Sequence, residues 1–449
     1  MALNRFKERG SAPFYVCDTN YFLPTFFLFF IFLLNILTSQ LYDSKRFMQV
    51  VLLTTTCFTI RFIPKISKKN SILLYILVSS GILSVFYSEH LFTSLHYFLH
   101  SILLINLIFL GINLSKNLPI IFLSIASFNI VIICCSLLNY SFYIFDKNIP
   151  TADDIIFGFN NIRFFNQIQV ISIPIFIYYL NDIKLKRIAT IFLIFNLTLL
   201  LITGARGAII ATLATIFIGY ILKIYNVTTL KKITFLIILA VTLFIFNSLY
   251  FSFNTSFTYV LRTTSSGRVQ IWHDLITNLQ LKNLLIGNGP GSYYNEHFRV
   301  SHPHNSILQV IYDWGAVATA LFLYLLYKLI NSSIKRLNKK GGGYYQSCFL
   351  CVVGALSYSL FSGIVVMPIP QTFLFLFIGV LIYYNNSGEI ILKRKKIKYH
   401  IALIPVLILY LVLTFISYDC KNDRFLGPNF WSHGQISHAN CKLTYFEDQ

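Results

Sequence analysis

Acidic side chains are scarce in this chain, which holds 16 Asp and Glu against 36 Lys and Arg, with charged residues only 12% of the total. Soluble domains carry roughly a quarter charged residues. The shortage excludes several chemistries. There is no Asp-x-Asp pair to hold a metal-bound nucleotide sugar and no Walker loop. The apolar stretches contain almost no Asp or Glu, Asp313 being the exception, whereas ion-coupled transporters place ionisable groups near mid-membrane. Any catalysis must rest on other groups. Cysteine is also sparing, at eight residues. Cys348-x-x-Cys351 lies within an apolar run and reads as small apolar filler rather than a redox or zinc pair. Cys420 and Cys441, in the C-terminal tail, are candidates for a bridge in an oxidising compartment, although spacing alone does not fix their geometry.

What the chain has in excess is apolar surface: 56% hydrophobic residues, with 44 Phe among 449 positions. A water-soluble fold of this size cannot hide so much, so lipid must solvate much of it. Apolar runs of span length fall near 22–41, 47–63, 71–87, 95–113, 118–140, 167–181, 187–203, 204–222, 233–250, 305–330, 345–363, 371–385 and 400–417. Lipid cannot satisfy backbone donors and acceptors, so these runs read as helices. The expected fold class is therefore all-α: a polytopic integral membrane protein with twelve or thirteen transmembrane helices. Runs 167–181 and 371–385 are short enough to be re-entrant. The first run is too long for the h-region of a secretion signal and lacks a small-residue cleavage site, so it reads as a retained span.

The net charge of +20 would suit nucleic acid if it formed one face of a soluble domain. It does not. Basic residues collect in the N-terminal segment and in every second loop: Arg5, Lys7 and Arg9; Lys65, Lys68 and Lys69; Lys116; Lys184, Lys186 and Arg187; Lys223, Lys231 and Lys232; Lys328 to Lys340; and Lys393 to Lys398. This is the positive-inside pattern. It puts the N-terminus in the cytoplasm and segments 141–166, 251–304 and 418–449 outside. The expected organisation is an N-terminal bundle of about nine spans over 1–250, a large outer loop with short helices over 251–304, about four further spans over 305–417, and an outer tail over 418–449.

The groups able to do chemistry lie on that outer face. Arg206 sits in Thr203-Gly204-Ala205-Arg206-Gly207 at an outward hairpin, where an Arg either snorkels or meets an anion. Arg268 opens a helix in the outer loop, within Ser266-Gly267-Arg268-Val269-Gln270-Ile271-Trp272, and Arg163 stands just before the sixth run. In Ser301-His302-Pro303-His304-Asn305-Ser306, Pro303 sets a turn and His304 stands at the helix entry. Gly315 follows eleven residues later, which places both on one face of a continuous helix. His304 is a neutral-pH proton acceptor beside several arginines, whose charge would keep it deprotonated. Arginines bind phosphate oxygens bidentately. On a face without nucleotides, the anion that suits them is a lipid-linked diphosphate, with His304 taking a proton from an acceptor hydroxyl.

These elements resemble the O-antigen ligase/polymerase superfamily of bacterial inner membranes. The resemblance covers about residues 160–330 and rests on the Thr203–Gly207 motif, Gly267-Arg268 with Trp272, Gly287-x-Gly289-x-Gly291, and His302-x-His304-Asn305 followed by Gly315. Gly427-Pro428-Asn429-Phe430-Trp431 also resembles the tails of ligase-type members. The resemblance implies a metal-independent glycosyltransferase without cofactor, using undecaprenyl-diphosphate-linked glycan as donor. It implies His304, Arg206 and Arg268 as catalytic residues. Arg163, His302, Asn305, Gly315 and Trp272 are then expected to bind substrate. The chain departs from ligases at Trp272, where Leu is common, and at Ala318, where Gly, Thr or Tyr is common. Ligation of O-antigen to lipid A-core is the first expectation, with polymerisation of lipid-linked repeats or protein O-glycosylation as sister activities. A polysaccharide or lipid transporter is the alternative of another class. The site would be periplasmic, and no nucleic-acid partner is expected.

Overall fold

The computed structural model describes residues 19–39, 41–59, 62–63, 67–146, 152–159, 161–252, 267–295, 297–298, 300–337, 342–386, 393–394, 397–415 and 430–431. Cys420 and Cys441 lie outside them. The described chain is helical apart from two paired two-residue strands. Helices α1 (Thr19–Thr38) and α2 (Tyr42–Thr59) are followed by β1 (Phe62–Ile63), then α3 (Lys68–Phe86), α4 (Leu91–Leu114), α5 (Leu118–Phe145) and the single turn α6 (Ala152–Ile155). Helices α7 (Ile162–Tyr179), α8 (Lys186–Ile202), α9 (Arg206–Ile221) and α10 (Val227–Ser252) precede the short α11 (Arg268–Thr277) and α12 (Leu281–Ile286). Last come α13 (Ser306–Leu337), α14 (Gly343–Ser359), α15 (Pro368–Asn385), β2 (Lys393–Arg394) and α16 (Ile397–Phe415).

Each apolar run read from the sequence coincides with one long helix. Among the described residues, five helical stretches are long and apolar enough by composition to cross a membrane: Lys68–Phe86, Leu91–Phe145, Val227–Tyr250, Ser306–Leu337 and Pro368–Asn385. The second is divided by a 3₁₀ turn at Ser115–Asn117 into α4 and α5. The fold is that of a multi-pass membrane protein. Peripheral helices turn bulky apolar side chains outward, such as Ile72, Tyr75 and Phe86 on α3 and Phe235, Ile238 and Phe246 on α10. Water would penalise such surfaces, whereas lipid accepts them.

Helices distant in sequence interleave. α15 packs mainly on α4, α14 on α7 and α9, and α13 on α3. Gly111 and Gly379 make the α4–α15 approach possible, because a Cβ on either would fall 2.0 Å from a carbonyl oxygen of the opposite helix. Small residues serve helix contacts in lipid in this way. A polar staple joins α2, α4, α15 and the tail. Arg46, 1% exposed, donates to Tyr42 Oη at 2.9 Å, Gln49 Oε1 at 2.5 Å, Gln371 Oε1 at 3.3 Å and Phe430 O at 2.9 Å, and also to Val366 O. The Phe430 ring lies between His96 and His100, with centroids 4.2 and 5.1 Å away.

Interhelical contacts sort the loops onto two faces. One face joins Lys328 to Asn70 at 2.7 Å, Arg336 to the Tyr384 carbonyl at 2.7 Å, Thr229 to Asn181 at 3.3 Å, and β1 to β2. The other joins Asn166 to Thr203 at 2.9 Å, His96 to Thr414 at 2.9 Å, and Arg46 to Phe430. The first face carries the basic loops.

Helix α13 is broken at Gly315, where φ is 78° and ψ is 172°. A continuous helix would direct the Tyr312 and Asp313 carbonyls to residues 316 and 317. Here Asn288 N donates to Tyr312 O at 2.8 Å, and Gly289 N to Asp313 O at 3.1 Å. Ser84 Oγ adds a second donor to Asp313 O at 2.5 Å. The glycine-rich turn thus seals the break, which requires Gly287, Gly289 and Gly291 at φ of 92°, 99° and 76°. Gly315→Ala is expected to destabilise the protein by ~2 kcal/mol or more, since its Cβ would stand near the Leu285 carbonyl at positive φ. Gly342→Ala, with nothing within 4 Å, is the control. Thermal unfolding of the purified protein should separate the two variants, and equal midpoints would refute the assignment.

Candidate functional site

Three arginines named from the sequence come together, each in the first turn of its helix. Asn161 caps α7 by accepting Arg163 N at 2.8 Å, and Asp153 Oδ1 accepts Ile162 N at 3.1 Å. Arg206 opens α9 after a tight turn at Gly204, whose φ is 60°. Arg268 opens α11 after Gly267, whose φ of 74° no branched residue adopts easily and whose α-carbon abuts the Phe298 ring. Arg163 and Arg206 are exposed, while Arg268 is half-buried, with its Nε enclosed and without a hydrogen-bond partner. Burial, reinforced by Arg163 and Arg206 and opposed by Tyr358, pushes the Arg268 guanidinium below its usual pKa. Helix N-termini add their own positive potential to these charges.

A chain of buried amides holds this region in place. Asn166 Nδ2 donates to Thr203 Oγ1 at 2.9 Å and to Gln169 Oε1 at 2.8 Å. Gln169 Nε2 donates to Asn196 Oδ1 at 2.9 Å, and Asn196 Nδ2 to Asn129 Oδ1 at 3.1 Å. The turn carrying Arg206 is thereby tied to α5, α7 and α8.

His304 stands beside the arginines, 8% exposed, with φ of 56°. Only one other described non-glycine residue, Lys223, has a positive φ. A bulky residue in that region costs of order 1–3 kcal/mol and persists only where its surroundings hold it. Three contacts do so. Trp272 Nε1 donates to Pro303 O at 2.8 Å. Asn305 Oδ1 caps α13, accepting Ile307 N at 3.0 Å and Leu308 N at 3.1 Å. The His302 ring packs edge-on against His304, with centroids 4.2 Å apart. Beneath lies a small core of Ile271, Leu275 and Tyr293, packed with Phe298, Leu308 and Tyr312. Burial first, then His302, Arg163 and Arg268, hold the His304 imidazole well below the usual histidine range. It is therefore neutral at ordinary pH.

The expected residues thus divide. Arg163, Arg206, Arg268, His302 and His304 gather at one spot. Trp272 Nε1 and Asn305 Oδ1 brace the loop that carries His304. Gly315 contacts the end of α12. One expectation is corrected: His304 and Gly315 do not share a face of one continuous helix. His304 lies in the loop before Ser306, and the helix breaks at Gly315, because both backbones take positive φ. The sequence reading also missed Tyr358, whose hydroxyl lies within electrostatic reach of Arg268 and Arg163 and close to Ser362. Gln167 Nε2 in turn donates to Ser362 Oγ at 2.8 Å. These are single polar residues in apolar helices, and no spacing marks them. Among the described residues, no three His, Cys, Asp or Glu side chains gather as a metal site.

Residues 191–323 match the family model described as O-Antigen ligase. Over 115 residues the chain is 30% identical to a Rickettsia felis protein named "Putative polysaccharide ligase", covering 22% of this chain and 28% of that protein. A Rickettsia typhi protein of the same description is 28% identical over 120 residues, with the same coverage. The chain spans 28% of the length of the curated relatives it matches. The match falls within the region whose motifs resemble the O-antigen ligase superfamily and bears that resemblance out.

Trp272→Phe keeps an aromatic ring, though a smaller one, and removes the donor to Pro303. It should cost ~1 kcal/mol locally, as should Asn305→Ala through the lost cap. Hydrogen–deuterium exchange of the peptide spanning 301–308 should quicken in both variants. Unchanged exchange would mean that the loop is held by something else.

Proposed function

We propose that the protein transfers a glycan from a polyprenyl-diphosphate-linked donor, of the undecaprenyl class, to an acceptor hydroxyl on the outer face of the bacterial inner membrane. The preferred acceptor is lipid A-core, which makes the reaction an O-antigen ligation. The observation that carries the reading is the meeting of Arg163 and Arg206 with Arg268, each at a helix N-terminus, beside the strained, buried His304. Like charges so arranged repel one another, and a diphosphate relieves the repulsion while the planar guanidiniums grip its oxygens.

In the reaction, His304 accepts the proton of the acceptor hydroxyl as the oxygen attacks the anomeric carbon. The bond from that carbon to the diphosphate breaks, and the arginines take up the charge that develops on the departing oxygen. Tyr358 is suited to orient Arg268, and Trp272 to orient His304 through the Pro303 carbonyl. The positive-inside pattern supports an outer site with the N-terminus in the cytoplasm. The family description and the relatives' names support an enzyme of the glycan ligase/polymerase class.

Purified protein in liposomes with lipid-linked glycan and lipid A-core tests the reading. His304→Ala should lower kcat about 10²–10⁴-fold and Arg206→Ala about 10²–10³-fold, while a chelator leaves the rate unchanged. Transfer that survives both substitutions would sink the mechanism, and glycan movement without a new glycosidic bond would favour a transporter. The pH dependence has a definite sign. The base works when neutral, so the rate falls as pH drops through its depressed pKa, and the acid limb of kcat/KM should lie below the ordinary imidazole value of about 6.5. Arg163→Gln removes a neighbouring positive charge and should move that limb to higher pH.

A further inference from the structure

Helix α12 carries an unexplained apolar stripe. Leu281 and Leu285, one turn apart, are 73% and 51% exposed. Two observations say what covers them. The first is depth. The Leu285 carbonyl abuts Gly315, and Gly289 N receives Ser84 Oγ at 2.9 Å as its acceptor. Ser84 is two residues from the end of α3, and Gly289 also abuts Ser94 near the start of α4. The end of α12 therefore stands level with the outer ends of α3 and α4 rather than above them.

The second is continuity. Lys282 Nζ lies over the Tyr87 ring, 4.6 Å from its centroid. This brings the start of α12 beside the end of α3, where Leu83, Phe86 and Tyr87 are also exposed. A Tyr–Lys pair flanked by exposed leucines and Phe at the end of an apolar helix has the composition of a membrane interface.

We propose that α12 rests in the headgroup region of the outer leaflet, with Leu281 and Leu285 among the acyl chains and Lys282 among the lipid phosphates. The bilayer then sets the height of the glycine-rich turn, which follows α12 directly, and of α11, which precedes it and begins with Arg268. Resting on the function proposed above, this contact presents Arg268 to a diphosphate that travels at headgroup depth on its lipid.

Nitroxide labels at Leu281→Cys and Leu285→Cys, in bilayers of phosphatidylethanolamine and phosphatidylglycerol, test the contact without reference to activity. Both positions should collide with oxygen more, and with a water-soluble nickel complex less, than a label at His273→Cys, whose native side chain is 72% exposed. Accessibility equal to that at residue 273, or an immobile label shielded from both reagents, would overturn the proposal. The double substitution Leu281→Asp and Leu285→Asp adds a functional readout. It should raise KM about tenfold for a long-chain polyprenyl donor, with kcat kept and a short-prenyl soluble donor unaffected. An equal loss with both donors would mean that the stripe serves the fold and not the lipid. A wild-type protein inactive toward either donor would count against the proposed function alone.

Discussion

Two carbonyl groups freed by the break at Gly315 constrain much of what surrounds them. In an apolar bundle an unmet carbonyl costs several kcal/mol, so Tyr312 and Asp313 must find donors from outside their helix. They find them in Asn288, Gly289 and Ser84. That requirement fastens the outer loop to α3, α4 and α13 at one height. It also explains why the glycines are glycines: each meets a neighbour, whether the Asp313 carbonyl, Ser94 or the Tyr97 ring, where a Cβ would collide. The Gly-x-Gly-x-Gly pattern here is a seal on a broken helix, and the loop it anchors carries Arg268 at one end and His304 at the other.

The charged cluster follows from this anchoring. Guanidiniums of like sign do not assemble unless scaffolding imposes it. Here the scaffolding is three helix starts, fixed by Asn161, by the turn at Gly204 and by Gly267. Burial first, and then the charges of Arg163 and Arg268, suppress protonation of His304. The charges that would attract an anion thus also help to keep His304 neutral. The arrangement uses no acidic partner, which agrees with the scarcity of Asp and Glu in the chain.

Much of this was legible in the residues. The thirteen apolar runs correspond to the long helices because lipid leaves one way to satisfy a continuous apolar backbone. Arg206 stood out because charge is expensive at an apolar hairpin, and Arg163, Arg268 and His304 because they lie with it on the expected outer face. Three things were not legible. Tyr358, Gln167 and Ser362 are isolated polar residues whose meeting depends on how α14 packs on α7. The positive φ of His304 and Gly315 cannot be inferred from an eleven-residue interval, and a count of helical turns across it misplaces both. The part that Trp272 Nε1 and Asn305 Oδ1 play in bracing the loop at Pro303 and the start of α13 is likewise not marked by any spacing.

The staple at Arg46 has a consequence for biosynthesis. Tyr42 and Gln49 are on its own helix, whereas His100, Val366, Gln371 and Phe430 emerge from the ribosome later, the last of them after α16. Helix α2 must therefore wait in the bilayer with an incomplete set of acceptors until translation nears its end. A chain ending before residue 430 would leave that guanidinium without the Phe430 carbonyl, so the last described residues complete a contact begun by the second helix.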